Sequence, residues 1–296
     1  MKKMEKKRFD PLSYDSTQQY EAEQKKKLNN AKSAFKLPPG IEWFKLPEET
    51  AFIRVDILPF VTTVNGKETL LPRLPYATHR LSLASGYRQF ICPREYEGED
   101  CPICAFCRGL YNVMKQDREK EELYKKISVK LRQLYAIRWL DAPSDEQDKI
   151  WILDQATYGF GKLLDNKISG RDTSDPDEAK WDRFADLYEG YHLKLSLAPG
   201  IWQGNSFVQI TGIDLKPRKT QYYDDSWYDK IPDLRTIPQK ADPEELQKAV
   251  EELSATFLGR RVRPEKPSDD GYSNGGNGYP DPGVIERPDD ENNIPW

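Results

Sequence analysis

Histidine, methionine and cysteine are scarce in this 296-residue chain, with two, three and four residues respectively. With so little histidine, and with no GxSxG, HExxH or Walker-type phosphate loop, the common hydrolase and nucleotide-binding sites have no residues to build on. The expectation is a protein that is not an enzyme. Long apolar runs are missing too: mean hydropathy is -0.82, and no stretch approaches the length of a membrane span. The basic start, MKKMEKKRFD, leads into no apolar segment of signal-peptide type. A cytosolic protein without a membrane partner is expected, and in a reducing compartment clustered cysteines read as metal ligands rather than disulfides.

Charge is abundant but unevenly spread. The net charge is -4, yet residues 1–36 carry ten Lys/Arg against five Asp/Glu, and residues 267–296 carry one Arg against seven acids. Opposite-signed ends on a near-neutral body suit a protein that binds a polyanion and regulates that binding with an acidic arm. The sequence divides into a basic arm (1–40), a folded core (41–263) and an acidic tail (264–296). The tail is dominated by Pro, Gly, Ser, Asn and Asp and is expected to be disordered.

Strand signals recur through the core. AFIRVDILPF (51–60), YRQFIC (87–92), QLYAIRWL (133–140) and IWILD (150–154) are rich in aromatic and β-branched residues. In YHLKLSL the residues Tyr191, Leu193, Leu195 and Leu197 fall on one face and His192, Lys194 and Ser196 on the other. With SFVQITGIDL this predicts a β-hairpin over 191–215. Helical spacing is expected in DEAKWDRFADLYEG, in the charged stretch 108–132, and in DPEELQKAVEELSATFLG, where Asp242 is placed to cap the first turn. Short strands with helices between them predict an α+β fold, mainly β. An OB-type five-stranded barrel with an inserted metal-binding subdomain (about 75–130), helical excursions and disordered tails is the natural candidate.

The cysteines carry the sharpest signal. His79 is followed after twelve residues by Cys92, after eight by Cys101, after two by Cys104 and after two by Cys107. A CxxC turn brings two thiolates to one tetrahedral ion, and a second pair returned by the intervening loop closes the site. Two ligand sets compete: His79, Cys92, Cys101 and Cys104, or all four cysteines with Cys107 replacing His79. The CxxCxxC run also raises an iron-sulfur cluster. A deaminase-type catalytic zinc is disfavoured because Leu81 stands where the general-base Glu would be.

Many of the 16 Tyr and 7 Trp stand beside basic residues, as in Tyr135 with Arg138, or Tyr158 and Phe160 with Lys162. Aromatic faces stack unpaired bases while adjacent cations hold phosphates, which is the chemistry of single-stranded nucleic-acid binding. An RNA-binding regulator on the same fold would share it.

On these residues the chain resembles the single-stranded-DNA-binding, helix-destabilising proteins of T-even-like bacteriophages. Its His79, Cys92, Cys101, Cys104 spacing follows that family's metal pattern, one residue shorter in the second interval. The resemblance implies one structural Zn²⁺ on those four residues, with Cys107 the alternative to His79. It implies DNA contacts at Arg54, Tyr96, Tyr111, Arg132, Tyr135, Tyr158, Phe160, Lys162 and Tyr223. It also implies roles in phage DNA replication, recombination and repair in the cytoplasm of an infected bacterial host, with self-association through the N-terminal arm. The last residues are more similar to the acidic, apolar-tipped terminus of bacterial single-strand-binding proteins. There Asp289, Asp290 and Glu291 would meet a basic rim on a replication or recombination protein, and Ile294, Pro295 and Trp296 an apolar pocket.

Overall fold

A computed structural model of the chain describes residues 34–64, 66–114, 117–202, 205–218 and 223–258. Most of the basic arm and all of the acidic tail, including Asp289, Asp290, Glu291, Ile294, Pro295 and Trp296, lie outside the described residues. The fold is mixed α+β and mainly β, and it divides into two compact units.

The first unit comprises residues 34–40, 76–131 and 233–252 of the described chain. Its centre is a hairpin of β5 (Leu74–Leu83) and β6 (Gly86–Ile91), in register from Thr78 against Ile91 to Leu83 against Gly86. Three helices follow: α1 (Pro93–Glu97), α2 (Pro102–Met114) and α3 (Arg118–Ile127). Gly98 ends α1 at φ 75°, a left-handed cap that suits glycine. Asp117 caps α3 by accepting from the backbone N–H groups of Glu119 and Lys120. The helix α6 (Pro243–Leu258) contributes its length up to Glu252 and is capped by Asp242, as expected. Glu252 accepts from the backbone N–H and hydroxyl of Ser85 at the hairpin turn (2.6 and 2.9 Å), and Glu245 pairs with Arg88.

The second unit is built on a six-stranded path with the order β1-β8-β7-β2-β9-β10. The strands are β1 (Glu42–Trp43), β2 (Phe52–Leu58), β7 (Lys130–Trp139), β8 (Ile150–Ala156), β9 (Tyr191–Trp202) and β10 (Asn205–Pro217). β1 lies parallel to β8; the other pairs are antiparallel. Alternation makes the core: Ile53, Val55 and Ile57 of β2 meet Tyr135, Ile137, Leu153, Leu193 and Leu195. A π-turn (Thr157–Gly161) and α4 (Lys162–Ser169) bring Phe160 and Leu164 onto that face. A separate hairpin pairs β3 (Phe60–Val64) with β4 (Lys67–Leu71), and α5 (Ser226–Lys230) completes the helices of the described residues.

Two expectations are corrected. The described pairings leave this sheet open, with β1 at one edge and β10 at the other, so they do not form the closed five-stranded barrel expected. The stretch DEAKWDRFADLYEG is a series of turns with one 3₁₀ segment at Trp181–Arg183, not an α-helix. Its aspartates take the backbone donors that a helix would have used. Asp175 accepts from the N–H of Asp177, and Asp186 accepts from the N–H groups of Tyr188 and Glu189. Of the expected apolar positions Trp181, Phe184, Leu187 and Tyr188, the first three are nevertheless buried while Tyr188 is exposed.

Candidate metal centre and basic sheet face

His79 lies in β5 opposite Phe90, and Cys92 directly follows β6. Cys101 immediately precedes α2, whose first residue is Pro102, a position where proline's fixed φ suits a helix start. Cys104 lies in the first turn of that helix. The hairpin thus supplies two ligands and the CPIC turn two more, and all four side chains are buried. They form the only His/Cys/Asp/Glu group among the described residues arranged to hold a metal ion, with ligand atoms all within 4.8 Å of one another.

Three of the six separations between ligand atoms lie close to tetrahedral edges. Zinc–sulfur and zinc–nitrogen bonds of about 2.3 and 2.05 Å put tetrahedral edges at about 3.8 Å for sulfur to sulfur and about 3.6 Å for sulfur to nitrogen. Here Cys92 Sγ and Cys104 Sγ are 3.5 Å apart. His79 Nε2 lies 3.5 Å from Cys101 Sγ and 3.4 Å from Cys104 Sγ. The other ring nitrogen, Nδ1, donates to the carbonyl of Ile127 at 2.9 Å, which fixes the tautomer that leaves Nε2 for a metal. A buried His/Cys₃ cluster of this shape can hold a metal ion.

Electrostatics point the same way. Burial opposes charge on His79, but hydrogen bonds to Cys101 and Cys92 outweigh it and hold the imidazole up to about 9. Hydrogen bonds from Cys104 and then Cys92 lower the Cys101 thiol far below its usual range. The hydrogen bond with Cys101, then that with Cys92, raises Cys104 far above it. Without a cation the pocket keeps protons on His79 and Cys104 and favours the Cys101 thiolate; a divalent ion would displace those protons. Cys107 is buried but stands outside the group. Its thiol is pushed up to about 12, by burial first and then by Cys101 and Cys92, so it stays neutral. The all-cysteine alternative is therefore not the set that the fold assembles.

In the second unit, the alternation that buries Ile53 and Val55 turns Phe52, Arg54 and Asp56 to the opposite face of the sheet. Register places Arg54 beside Lys194, Asp56 beside both His192 and Arg138, and His192 beside Lys216. Phe52 is 47% exposed, with the Lys194 ammonium 4.4 Å from its ring centroid. Arg54, Arg138, Leu140, Gln147 and His192 line a pocket of about 240 Å³. Beneath it the wholly buried Asp56 accepts from His192 Nδ1 at 2.7 Å and from the Tyr223 hydroxyl at 2.5 Å, with Arg218 Nε at 3.4 Å. Burial and then Asp56 raise the Tyr223 phenol above its usual range, so it remains a donor.

The expected DNA contacts divide by placement. Arg54 is exposed and forked onto Asp141, with Nε at 2.8 Å and Nη2 at 2.5 Å from Oδ1. Tyr158 (39% exposed) and Lys162 lie at the surface around the π-turn. In the first unit Tyr111 is 40% exposed against Tyr124, and Tyr96 is half-buried near Arg235. Arg132 is half-buried and engaged by Asp154 at 2.8 Å. Tyr135, Phe160 and Tyr223 are core residues. Tyr135 donates to Gln133 and packs edge-on against Phe160, and Tyr223 packs against Trp227. A base cannot stack on these rings while the core is closed. Phe52, Arg138, His192, Lys194 and Lys216, which share this face, were not among the expected contacts, although the alternation in YHLKLSL had already placed His192 and Lys194 on the polar face. No protein-family model matches the chain, and no curated protein matches its sequence.

Proposed function

We propose that this protein binds single-stranded DNA without sequence preference and catalyses no reaction. The observation that supports it best is the exposed ring of Phe52 under Lys194, with Arg54 beside Lys194 on β2 and, further along the same face of β10 past Asp214, Lys216. An aromatic platform with cations on adjacent strands is what a base and its phosphates need together. We read the sheet as an OB-type scaffold, with Tyr158 and Lys162 in the second unit and Tyr96 and Tyr111 in the first as further contacts. The metal is zinc and structural: His79, Cys92, Cys101 and Cys104 would hold it, and it would cross-link the hairpin to α2. The basic arm promotes self-association along the strand, and the acidic tail with its Ile294-Pro295-Trp296 tip recruits replication and recombination proteins. Those roles belong to phage DNA metabolism in the cytoplasm of an infected bacterium.

Intrinsic-fluorescence titration with matched single-stranded, duplex and RNA oligomers tests this. Tighter binding to single-stranded DNA is expected, with affinity falling as salt rises at a log-log slope of about 0.7 per phosphate contacted. Equal affinity for duplex, or preference for RNA, would overturn it.

A further inference from the structure

In the hairpin of the first unit, Arg80 on β5 lies directly across from Gln89 on β6, and Ser82 across from Tyr87. These side chains occupy the face opposite His79. Two donors there have no acceptor: Arg80 Nε and Gln89 Nε2 are both enclosed and form no hydrogen bond. Gln89 is 6% exposed, so its amide is shielded from bulk solvent. Lys130 adds a third donor. Its ammonium donates to the Lys125 carbonyl at 2.9 Å and the Ser128 hydroxyl at 3.4 Å, which leaves one N–H. Its pKa is lowered, by burial first and by the Arg80 guanidinium second. Among the described residues no carboxylate forms an ion pair with Arg80 or Lys130.

Buried donors without acceptors are rare and unfavourable, and the charge of Arg80 acts against that of Lys130. Unpartnered N–H groups on Arg80 and Gln89 beside a second cation call for a ligand that offers acceptors and negative charge. We propose that Arg80, Gln89 and Lys130 form a binding site for a tetrahedral oxyanion of the phosphate class, which in the bound complex is a backbone phosphodiester of the single strand. The second half of that statement rests on the single-stranded-DNA reading. Tyr87, half-buried and two residues from Gln89 on the same face, offers a ring beside the phosphate. Backbone phosphates, unlike bases, carry no sequence information, so such a site adds affinity without selectivity.

Inorganic phosphate is titrated into the full-length, metal-loaded protein while the Arg80 Nε–H and Gln89 side-chain amide resonances are followed by ¹⁵N NMR. Saturable shifts of both are expected in the wild type, with the Gln89 amide no longer responding in Arg80→Met and the Arg80 Nε–H no longer responding in the near-isosteric Gln89→Leu, metal content being unchanged in each. Arg80→Met should also lower the log-log salt slope for oligothymidylate binding by about 0.7, one phosphate's worth. Shifts that never saturate would mean that water fills the site, and would overturn the proposal. Saturable phosphate binding with an unchanged salt slope would overturn the phosphodiester assignment. If the wild-type protein bound phosphate but no oligonucleotide, the function reading would fail while the oxyanion site stood.

Discussion

The two units are held together by different physics. In the first, a short hairpin and three helices close around a polar knot, where three thiols and an imidazole meet within one coordination sphere. In the second, a continuous apolar layer from Ile53 to Leu215 does the work, and the polar residues are sorted to the other face by strand parity alone. The difference teaches where each kind of function is written. A metal site is fixed by the spacing of four residues, whereas a sheet face is fixed by which side of the pleat each residue takes.

The largest effect should follow from breaking the first unit's knot. Structural zinc contributes apparent binding energies of about 10 to 16 kcal/mol. Cys104→Ser should therefore release the metal and abolish amide-exchange protection across 76–131, while Cys107→Ser keeps one metal per chain. Metal analysis of the two purified variants decides between them. In the second unit the matching lesion is Leu195→Ala, a wholly buried side chain in the middle of β9. It should cost about 2 to 5 kcal/mol in denaturant unfolding and leave metal content intact.

Acid should separate the units as well. His79 in the metal-free pocket keeps its proton up to about 9, and Cys104 keeps its own beyond that. Metal binding must expel these protons, so affinity rises with pH below that range and falls as pH drops, about tenfold per unit for each proton displaced. A chelator-competition series across pH measures the slope; a flat profile would show that the ligands carry no proton to lose. The smallest effect is expected at Asp141, whose carboxylate holds the exposed Arg54. Asp141→Asn should change stability by about 1 kcal/mol or less and raise single-strand affinity a few-fold by releasing the guanidinium.

Legibility followed the same division. A metal-site candidate among His79 and the four cysteines was readable because chelation needs particular residue types at particular intervals, but spacing left His79 and Cys107 as alternatives, and the grouping of His79 with Cys92, Cys101 and Cys104 is seen in three dimensions. Strands with clean alternation, such as Tyr191–Leu197, were readable too. The β3–β4 hairpin was missed although Asn65-Gly66 between Val64 and Lys67 is a strong turn signal. Tyr135 of the QLYAIRWL stretch misled because residues an odd number of positions apart on a strand point to opposite faces. Tyr135 shares its face with buried Ile137 rather than with Arg138. An open sheet rather than a barrel was unreadable, since closure depends on edge pairing over long sequence separations.

The most direct test of the central claim is the single-strand affinity of Phe52→Ala at fixed salt. Phe52 is half exposed and outside the core, so the variant should fold and keep its metal. Loss of one stacked base should weaken oligothymidylate binding by about 1 to 3 kcal/mol, or about 5- to 150-fold, with little change in the salt slope. Wild-type affinity in a folded, metal-loaded Phe52→Ala protein would contradict the account.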